Sequence, residues 1–108
     1  MNELKDHLNK NVMTIFPPTE EMTEAIASVY NRLRHAVRDG ADTLVVTSTA
    51  FVWSKNDRQL GQFQILPKWA PIYWGALERI MEQDRVVSNH LQLIHQTSDE
   101  MTWHIKSD

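Results

Sequence analysis

Three histidines near the C-terminus are the first side chains whose type could support chemistry. The imidazoles of His90, His95 and His104 are groups that bind metal ions. If this region forms a hairpin, as argued below, His90 and His104 share one face and Gln92 lies opposite His104. The spacing matches no zinc motif, however, and the chain has neither a cysteine nor a carboxylate placed to complete the ligand set. We therefore expect solvated histidines and no metal.

The carboxylates and hydroxyls give no catalytic pattern. Glu78 and Glu82 carry the same charge one helical turn apart, which is typical of a solvated helix face rather than an acid–base pair, and Asp84 follows on the same predicted helix. The Ser and Thr residues between positions 43 and 53 lack the sequence of a nucleophile elbow. The three glycines are too far apart to form a phosphate-binding loop. We expect no enzymatic activity and no cofactor, and no stretch identifies a known family.

A group of basic residues between positions 30 and 70 could form a surface for nucleic acid. Together with Trp53 and Trp69 they would combine phosphate contacts with base stacking, as single-strand binders do. The formal net charge of -3 argues against this, as does the placement of several of these cations where a helix end or a turn favours them. Nucleic-acid binding is therefore an alternative only. The residues concerned are Arg32, Arg34, His35, Arg38, Lys55, Arg58 and Lys68.

Length and composition predict a single domain over residues 1–108. A chain of 108 residues with 42% hydrophobic and 23% charged residues is long and apolar enough to bury one core. The absence of cysteine fits a reducing cytoplasm. No apolar run is long enough to span a membrane, and the polar N-terminus does not resemble a signal peptide.

Two amphipathic helices position most of the core. The first, over 19–39, has Thr19 as its N-cap and Gly40 as the residue that ends it. The second runs from about Pro71 to Asp84. Before them, Leu4 and Leu8 predict a short helix, whereas Val12–Phe16 fits a short strand equally well. The apolar face of the first helix comprises Met22, Ile26, Val29, Tyr30, Leu33, Ala36 and Val37.

Residues 43–66 predict a hairpin, with strand Thr43–Trp53, the turn 54–58 and strand Gln59–Leu66. With Asn56 and Asp57 at the centre of the turn, Trp53 pairs with Leu60, Phe51 with Gln62 and Ala50 with Phe63. A continuous first strand then directs Leu44, Val46, Ser48, Ala50 and Val52 to the core. It leaves Phe51 and Trp53 on the opposite face.

Residues 91–105 predict a second hairpin around the loop Thr97-Ser98-Asp99. Its pairs are Leu91 with Ile105, Leu93 with Trp103 and His95 with Met101. Residues 85–89 fit either a loop or the start of a helix through Ile94. The predicted fold is α+β: an antiparallel sheet of about four strands, made of two hairpins, packed against one long and one shorter helix.

The tip of the first hairpin is the surface that these patterns favour for function. It combines large apolar side chains with flanking cations, the residue types that anchor protein interfaces. The alternative is that the chain's own segments cover it. The expected patch comprises Phe51, Trp53, Lys55, Arg58 and Leu60.

We therefore predict a small cytoplasmic protein-interaction module, either a homodimer or an accessory or inhibitory partner of a larger assembly. A second alternative, besides nucleic-acid binding, is a small-molecule or enzymatic pocket between sheet and helices. Its lining would be Tyr30, Tyr73, Trp74, Trp103 and His95.

Overall fold

In the described part of the chain, five antiparallel strands form one sheet and four α-helices accompany it. The computed structural model describes residues 3–10 and 19–106. The α+β class and the antiparallel sheet are as predicted, but these residues form one strand more than expected, and a short helix, α4, besides the short N-terminal helix that Leu4 and Leu8 indicated. The elements are α1 (Glu3–Asn9), α2 (Glu20–Arg38), β1 (Thr43–Thr47), β2 (Ala50–Lys55), β3 (Arg58–Gln64), a 3-10 turn (Pro67–Trp69), α3 (Ala70–Gln83), α4 (Arg85–His90), β4 (Leu91–Gln96) and β5 (Glu100–Ile105).

The helices follow the sequence pattern closely. Thr19 caps α2, its Oγ1 accepting a hydrogen bond from the backbone N–H of Met22 at 3.1 Å. Gly40 follows α2 with φ +81°, a conformation that glycine adopts without steric cost. Leu4 and Leu8 are buried in α1, as their spacing predicted. The strand alternative for Val12–Phe16 falls outside the described residues.

The predicted single strand over 43–53 is wrong, because the chain turns at Ser48 and Thr49. The Thr47 hydroxyl accepts hydrogen bonds from the backbone N–H groups of Thr49 at 3.2 Å and Ala50 at 3.1 Å. A threonine side chain thus closes a tight turn in the middle of a β-branched run. The segment becomes two paired strands, β1 and β2.

This turn reverses the faces predicted for the second half of the segment. Because β1 and β2 are antiparallel neighbours, Leu44 pairs with Trp53 and Val46 pairs with Phe51. Cross-strand partners point to the same side of a sheet. Phe51 and Trp53 therefore join the core face, and Val52 leaves it.

The β2–β3 turn is correctly predicted, but the register beyond it is not. Asn56 and Asp57 have positive φ values of 51° and 65°, as a two-residue hairpin turn requires. A bulge beside Trp53 then shifts the pairing by one residue. Trp53 consequently pairs with Gly61 rather than Leu60, and Phe51 pairs with Phe63 rather than Gln62. Ala50 pairs with Gln64 instead of Phe63.

The C-terminal hairpin has the predicted loop, and two of its three predicted pairs are confirmed. Leu91 pairs with Ile105 and Leu93 with Trp103. A bulge after Leu93 then moves His95 from Met101 to Thr102. Residues 85–90 form α4, which ends at His90 and does not continue through Ile94.

The five strands are ordered β3-β2-β1-β5-β4, so β1 and β5 join the two hairpins and β4 lies at one edge. Burial alternates along β1, which shows that the helices cover one face of the sheet. The core includes Leu33, Leu44, Phe51 and Leu77, all fully buried. Burying a side chain of this size stabilises the fold by roughly 1.5–3 kcal/mol. Within the described residues, no helix combines the length and apolarity needed to cross a membrane.

Candidate functional site

Two of the five residues in the patch expected at the first hairpin's tip are core residues. Phe51 is fully buried, and Trp53 is only 4% exposed. The ring of Tyr73 meets Phe51 edge-on, with centroids 6.0 Å apart. The expectation that Phe51 and Trp53 lie on the surface is therefore wrong, and the turn at Ser48 and Thr49 is the reason.

Trp53 is fixed by contacts on several sides. Its indole Nε1 donates a hydrogen bond to Asp39 Oδ2 at 2.9 Å. Gly61 lies directly beneath the indole, where an added Cβ would come within 2.6 Å of the ring atoms Cε2 and Cζ2. The glycine is what allows the tryptophan to lie across β3.

The remaining patch residues stay on the surface. Lys55, Arg58 and Leu60 are exposed and, with Asn56, line an open hollow of about 350 Å³ at the tip. Leu60 is 36% exposed. The tip is therefore a polar and cationic turn with one apolar side chain, not an aromatic anchor.

The basic residues do not form one surface. The guanidinium of Arg32 lies 4.1 Å above the Phe63 ring, and the Lys68 ammonium lies 5.5 Å from the Trp69 ring. Lys55 and Arg58 are at the hairpin tip. The cationic side chains of Arg34 and Arg38, near the end of α2, line a different hollow, with His35 between them.

The three histidines occupy different environments. His90 is buried, and its Nδ1 donates to the Val86 carbonyl at 2.7 Å within α4, which corrects the expectation of a solvated side chain. His104 lies opposite Gln92, as expected, and His95 is exposed on β4. Among residues 3–10 and 19–106, no three His, Cys, Asp or Glu side chains are grouped as metal ligands.

The residues expected to line a pocket between sheet and helices do not converge. Tyr30 is buried and bonds to Asp84, Tyr73 lines one hollow of about 160 Å³, and Trp74 lines another of about 340 Å³. Trp103 is buried, and His95 is exposed on the edge strand. The structure thus corrects the prediction of one shared cavity.

Asp84 is a buried acidic group at the junction of two helices, not a further residue on the helix of Glu78 and Glu82 as expected. It lies between α3 and α4 and is only 4% exposed. Its Oδ1 accepts hydrogen bonds from the backbone N–H groups of Val86 at 3.1 Å and Val87 at 3.2 Å, which caps α4. The aspartate followed by an apolar helical turn is a capping signal that could have been recognised.

The other oxygen of Asp84 joins two distant side chains. Tyr30 donates its hydroxyl to Oδ2 at 2.5 Å, and His7 Nε2 lies 2.7 Å from the same oxygen. Burial by itself would raise the pKa of Asp84, but the hydrogen bonds from Tyr30, His7 and the Val87 N–H outweigh it and lower the pKa. Burial and the neighbouring Asp84 raise the pKa of Tyr30, with Arg34 opposing. The cluster holds a carboxylate in the charged form and ties α1, α2 and α4 together.

The edge strand β4 is the surface that stands out by its composition. Leu91–Gln96 contains no charged residue and no proline, and all its residues after Leu91 are exposed. Leu93 is 40% exposed and Ile94 57%. Charged side chains and proline are common devices that protect a sheet edge from pairing, and β4 has only a bulge.

The opposite edge, β3, is different in charge. It begins with Arg58, and Lys55 ends the neighbouring strand β2 on the other side of the two-residue turn. The end of β3 at the hairpin tip is therefore cationic, a feature of protected edges, whereas residues 59–64 are uncharged. Comparison of the chain with protein-family models, with curated proteins and with solved structures finds no match.

Proposed function

We propose that this chain is a small protein-interaction module, without catalytic activity of its own, that pairs with a second copy through β4. Such a dimer would act as an accessory or inhibitory component of a larger assembly. We assign it to the cytoplasm because a chain without cysteine suits a reducing compartment. The observation that carries the proposal is an exposed, uncharged edge strand with two neighbouring apolar side chains, Leu93 and Ile94.

Backbone geometry supports pairing at this edge. In an antiparallel ladder only alternate residues of an edge strand bond to their neighbour, so the others direct their N–H and C=O groups outward. Within the described part of the chain, β4 pairs with β5 alone. A strand added on the outer side would satisfy those groups and extend the sheet.

The absence of charge on β4 makes a second copy an admissible partner. The chain carries a net charge of -3, so two copies repel each other at long range. An uncharged strand lets them approach without placing like charges opposite each other. In a dimer with a twofold axis, two antiparallel copies of β4 would form each contact twice. The two paired surfaces are then identical, so a single favourable contact counts twice.

The exposed apolar surface of β4 would add a driving force for dimerisation. Removing apolar surface from water contributes roughly 25 cal/mol per Å². Leu93 and Ile94 from each copy would be covered in the dimer. Leu66 and Trp69, which are also exposed, follow β3 in the chain and do not belong to an edge strand.

The test compares a lysine introduced at each edge. Ile94→Lys adds a charge to β4 at a largely exposed position, and Gln62→Lys adds the same charge to the exposed surface of β3. Light scattering should give about twice 12.6 kDa for the unmodified chain and for Gln62→Lys, and 12.6 kDa for Ile94→Lys. A monomeric unmodified chain at high concentration, or equal dissociation by both variants, would rule out pairing through β4.

A further inference from the structure

A hollow between α1 and α2 has the lining of an anion site. Its volume is about 390 Å³, within the range of roughly 300–1,000 Å³ that small-molecule sites occupy. Residues of α1 form one wall and residues of the second half of α2 form the other. The lining residues are Lys5, Leu8, Asn9, Asn31, Arg34, His35, Val37 and Arg38.

The charge of this hollow is opposite to that of the chain. Three of the 11 Lys and Arg residues line it, namely Lys5, Arg34 and Arg38. Among the described residues, none of the chain's Asp or Glu side chains belongs to the lining. A concave wall of one charge sign focuses the field and attracts counter-charged ligands, even on a chain with net charge -3.

The cationic wall is held in place by the fold. Arg34 Nε donates to the carbonyl of Leu8, in the last turn of α1, at 2.6 Å. This contact orients a planar guanidinium, a group whose geometry suits the oxygens of a phosphate. Arg38 Nη2 lies 3.3 Å from His35 Nδ1, and its Nε lies 3.5 Å from Asp39 Oδ1. Asp39 offsets part of the Arg38 charge from outside the hollow.

The hollow also has an apolar component. Leu8 is 2% exposed and belongs to the core cluster, and Val37 packs against that cluster. The amides of Asn9 and Asn31 complete the lining. A site with converging cations, amides and an apolar floor suits an anion that carries an organic group better than a bare inorganic ion.

We propose that the hollow between α1 and α2 binds a small phosphate monoester. Lys5, Arg34 and Arg38 bind the phosphate, and the organic group of the ligand packs against Leu8 and Val37. This site goes beyond the interaction function proposed above and does not depend on the pairing of β4.

The test uses phenyl phosphate as the probe, followed by backbone amide NMR shifts of the full chain. Saturable shifts are expected in α1 and the second half of α2, with tighter binding of phenyl phosphate than of inorganic phosphate. Arg38→Gln should weaken binding about tenfold, the effect of losing one charge-assisted hydrogen bond. The side chain of Arg38 is 65% exposed, so the fold should tolerate this change. Arg58→Gln, which removes the same charge at the hairpin tip, should leave the affinity unchanged.

Three outcomes would overturn the site. One is the absence of saturable shifts in α1 and α2. Another is equal weakening by Arg38→Gln and Arg58→Gln, which would indicate attraction to overall charge. The last is that an oligothymidine binds more tightly than phenyl phosphate and that its affinity falls steeply as the salt concentration rises. That result would assign the hollow to single-stranded nucleic acid. Lys5→Gln provides a second variant and should weaken phenyl phosphate binding in the same direction as Arg38→Gln.

Discussion

Tyr30 donates its hydroxyl to Asp84 Oδ2 at 2.5 Å across 54 residues of sequence, in the buried interior of the fold. The same aspartate accepts from His7 and caps α4. One carboxylate therefore connects three helices. Removing a partner from a buried charged group leaves that charge less well solvated, at a cost of several kcal/mol in the worst case.

Replacing Tyr30 with Phe should lower the free energy of unfolding by about 1.5–3 kcal/mol, because the buried carboxylate loses a hydrogen bond to a charged acceptor. Urea unfolding monitored by tryptophan fluorescence measures the change. Tyr73→Phe is the matched control, since Tyr73 contributes ring contacts to Phe51 and Phe63 that phenylalanine retains. An equal effect of the two substitutions would argue against a special role for the Tyr30–Asp84 bond.

Asp84 should make the fold sensitive to acid. Its pKa is lowered in the folded state from an ordinary value of 3.8. The ionised carboxylate therefore stabilises the fold fully at pH values well above 3.8. This stabilisation is lost as the pH falls below 3.8 toward the lower pKa of the folded state. Urea midpoints measured between about pH 6 and pH 2.5 should fall steeply below about pH 4. Asp84→Asn should start from a lower stability and lose this component, whereas Asp99→Asn in the exposed β4–β5 loop should keep it.

Tyr30 should make the stability of the fold sensitive to high pH. Its pKa is raised above the ordinary value of 10.0, so its contribution is present below that value and is lost as the pH rises beyond it. The Tyr30→Phe variant should show a shallower decline of stability above about pH 10 than the unmodified chain. Identical alkaline profiles would contradict the coupling.

Gly61 should resist substitution, because the Trp53 indole occupies the position of a side chain. A Cβ added at Gly61 would come within 2.6 Å of this buried ring, which Asp39 also holds, so the ring cannot easily move. Gly61→Ala should cost about 1–3 kcal/mol, as overpacking of a core typically does. Gly75→Ala is the control: its Cβ would meet only the terminal methyl of Met22 at 3.4 Å, and alanine within α3 should be neutral or stabilising by up to ~1 kcal/mol. Thermal unfolding of both variants measures the contrast.

The buried position of Phe51 also gives a clear expectation. Phe51→Ala should destabilise the chain by about 3–5 kcal/mol through lost burial and an unfilled cavity. Leu60→Ala, at a partly exposed position of the same hairpin, should change stability far less. A folded Phe51→Ala variant of nearly unchanged stability would contradict the register that places Phe51 in the core.

The helices could be predicted because their signals are local and repeated. The spacing of apolar residues, the Thr19 cap and Gly40 defined α2, and Asn56 with Asp57 defined one turn. The turn at Ser48 and Thr49 was missed because no glycine or proline marks it. The only local signal was a short run of hydroxyl side chains, one of which closes the turn.

Missing that turn had consequences for the predicted site. Strand faces alternate with every residue, so one unrecognised turn and one bulge exchanged the buried and exposed faces of the aromatic strand. The bulges beside Trp53 and Leu93 depend on contacts between strands and have no sequence signature of their own. Asp84 could be recognised as a cap, but its bonds to Tyr30 and His7 arise only when distant helices pack.

Amide hydrogen–deuterium exchange at two protein concentrations tests the central claim, that β4 pairs with a second copy. The outward N–H groups of β4 should exchange rapidly in dilute protein and become protected as the concentration rises. Those of β3, at the opposite edge, should exchange at the same rate in both samples. Protection confined to β4 is the predicted result. Exchange at β4 that does not change with concentration, or protection that appears at β3 instead, would contradict the account.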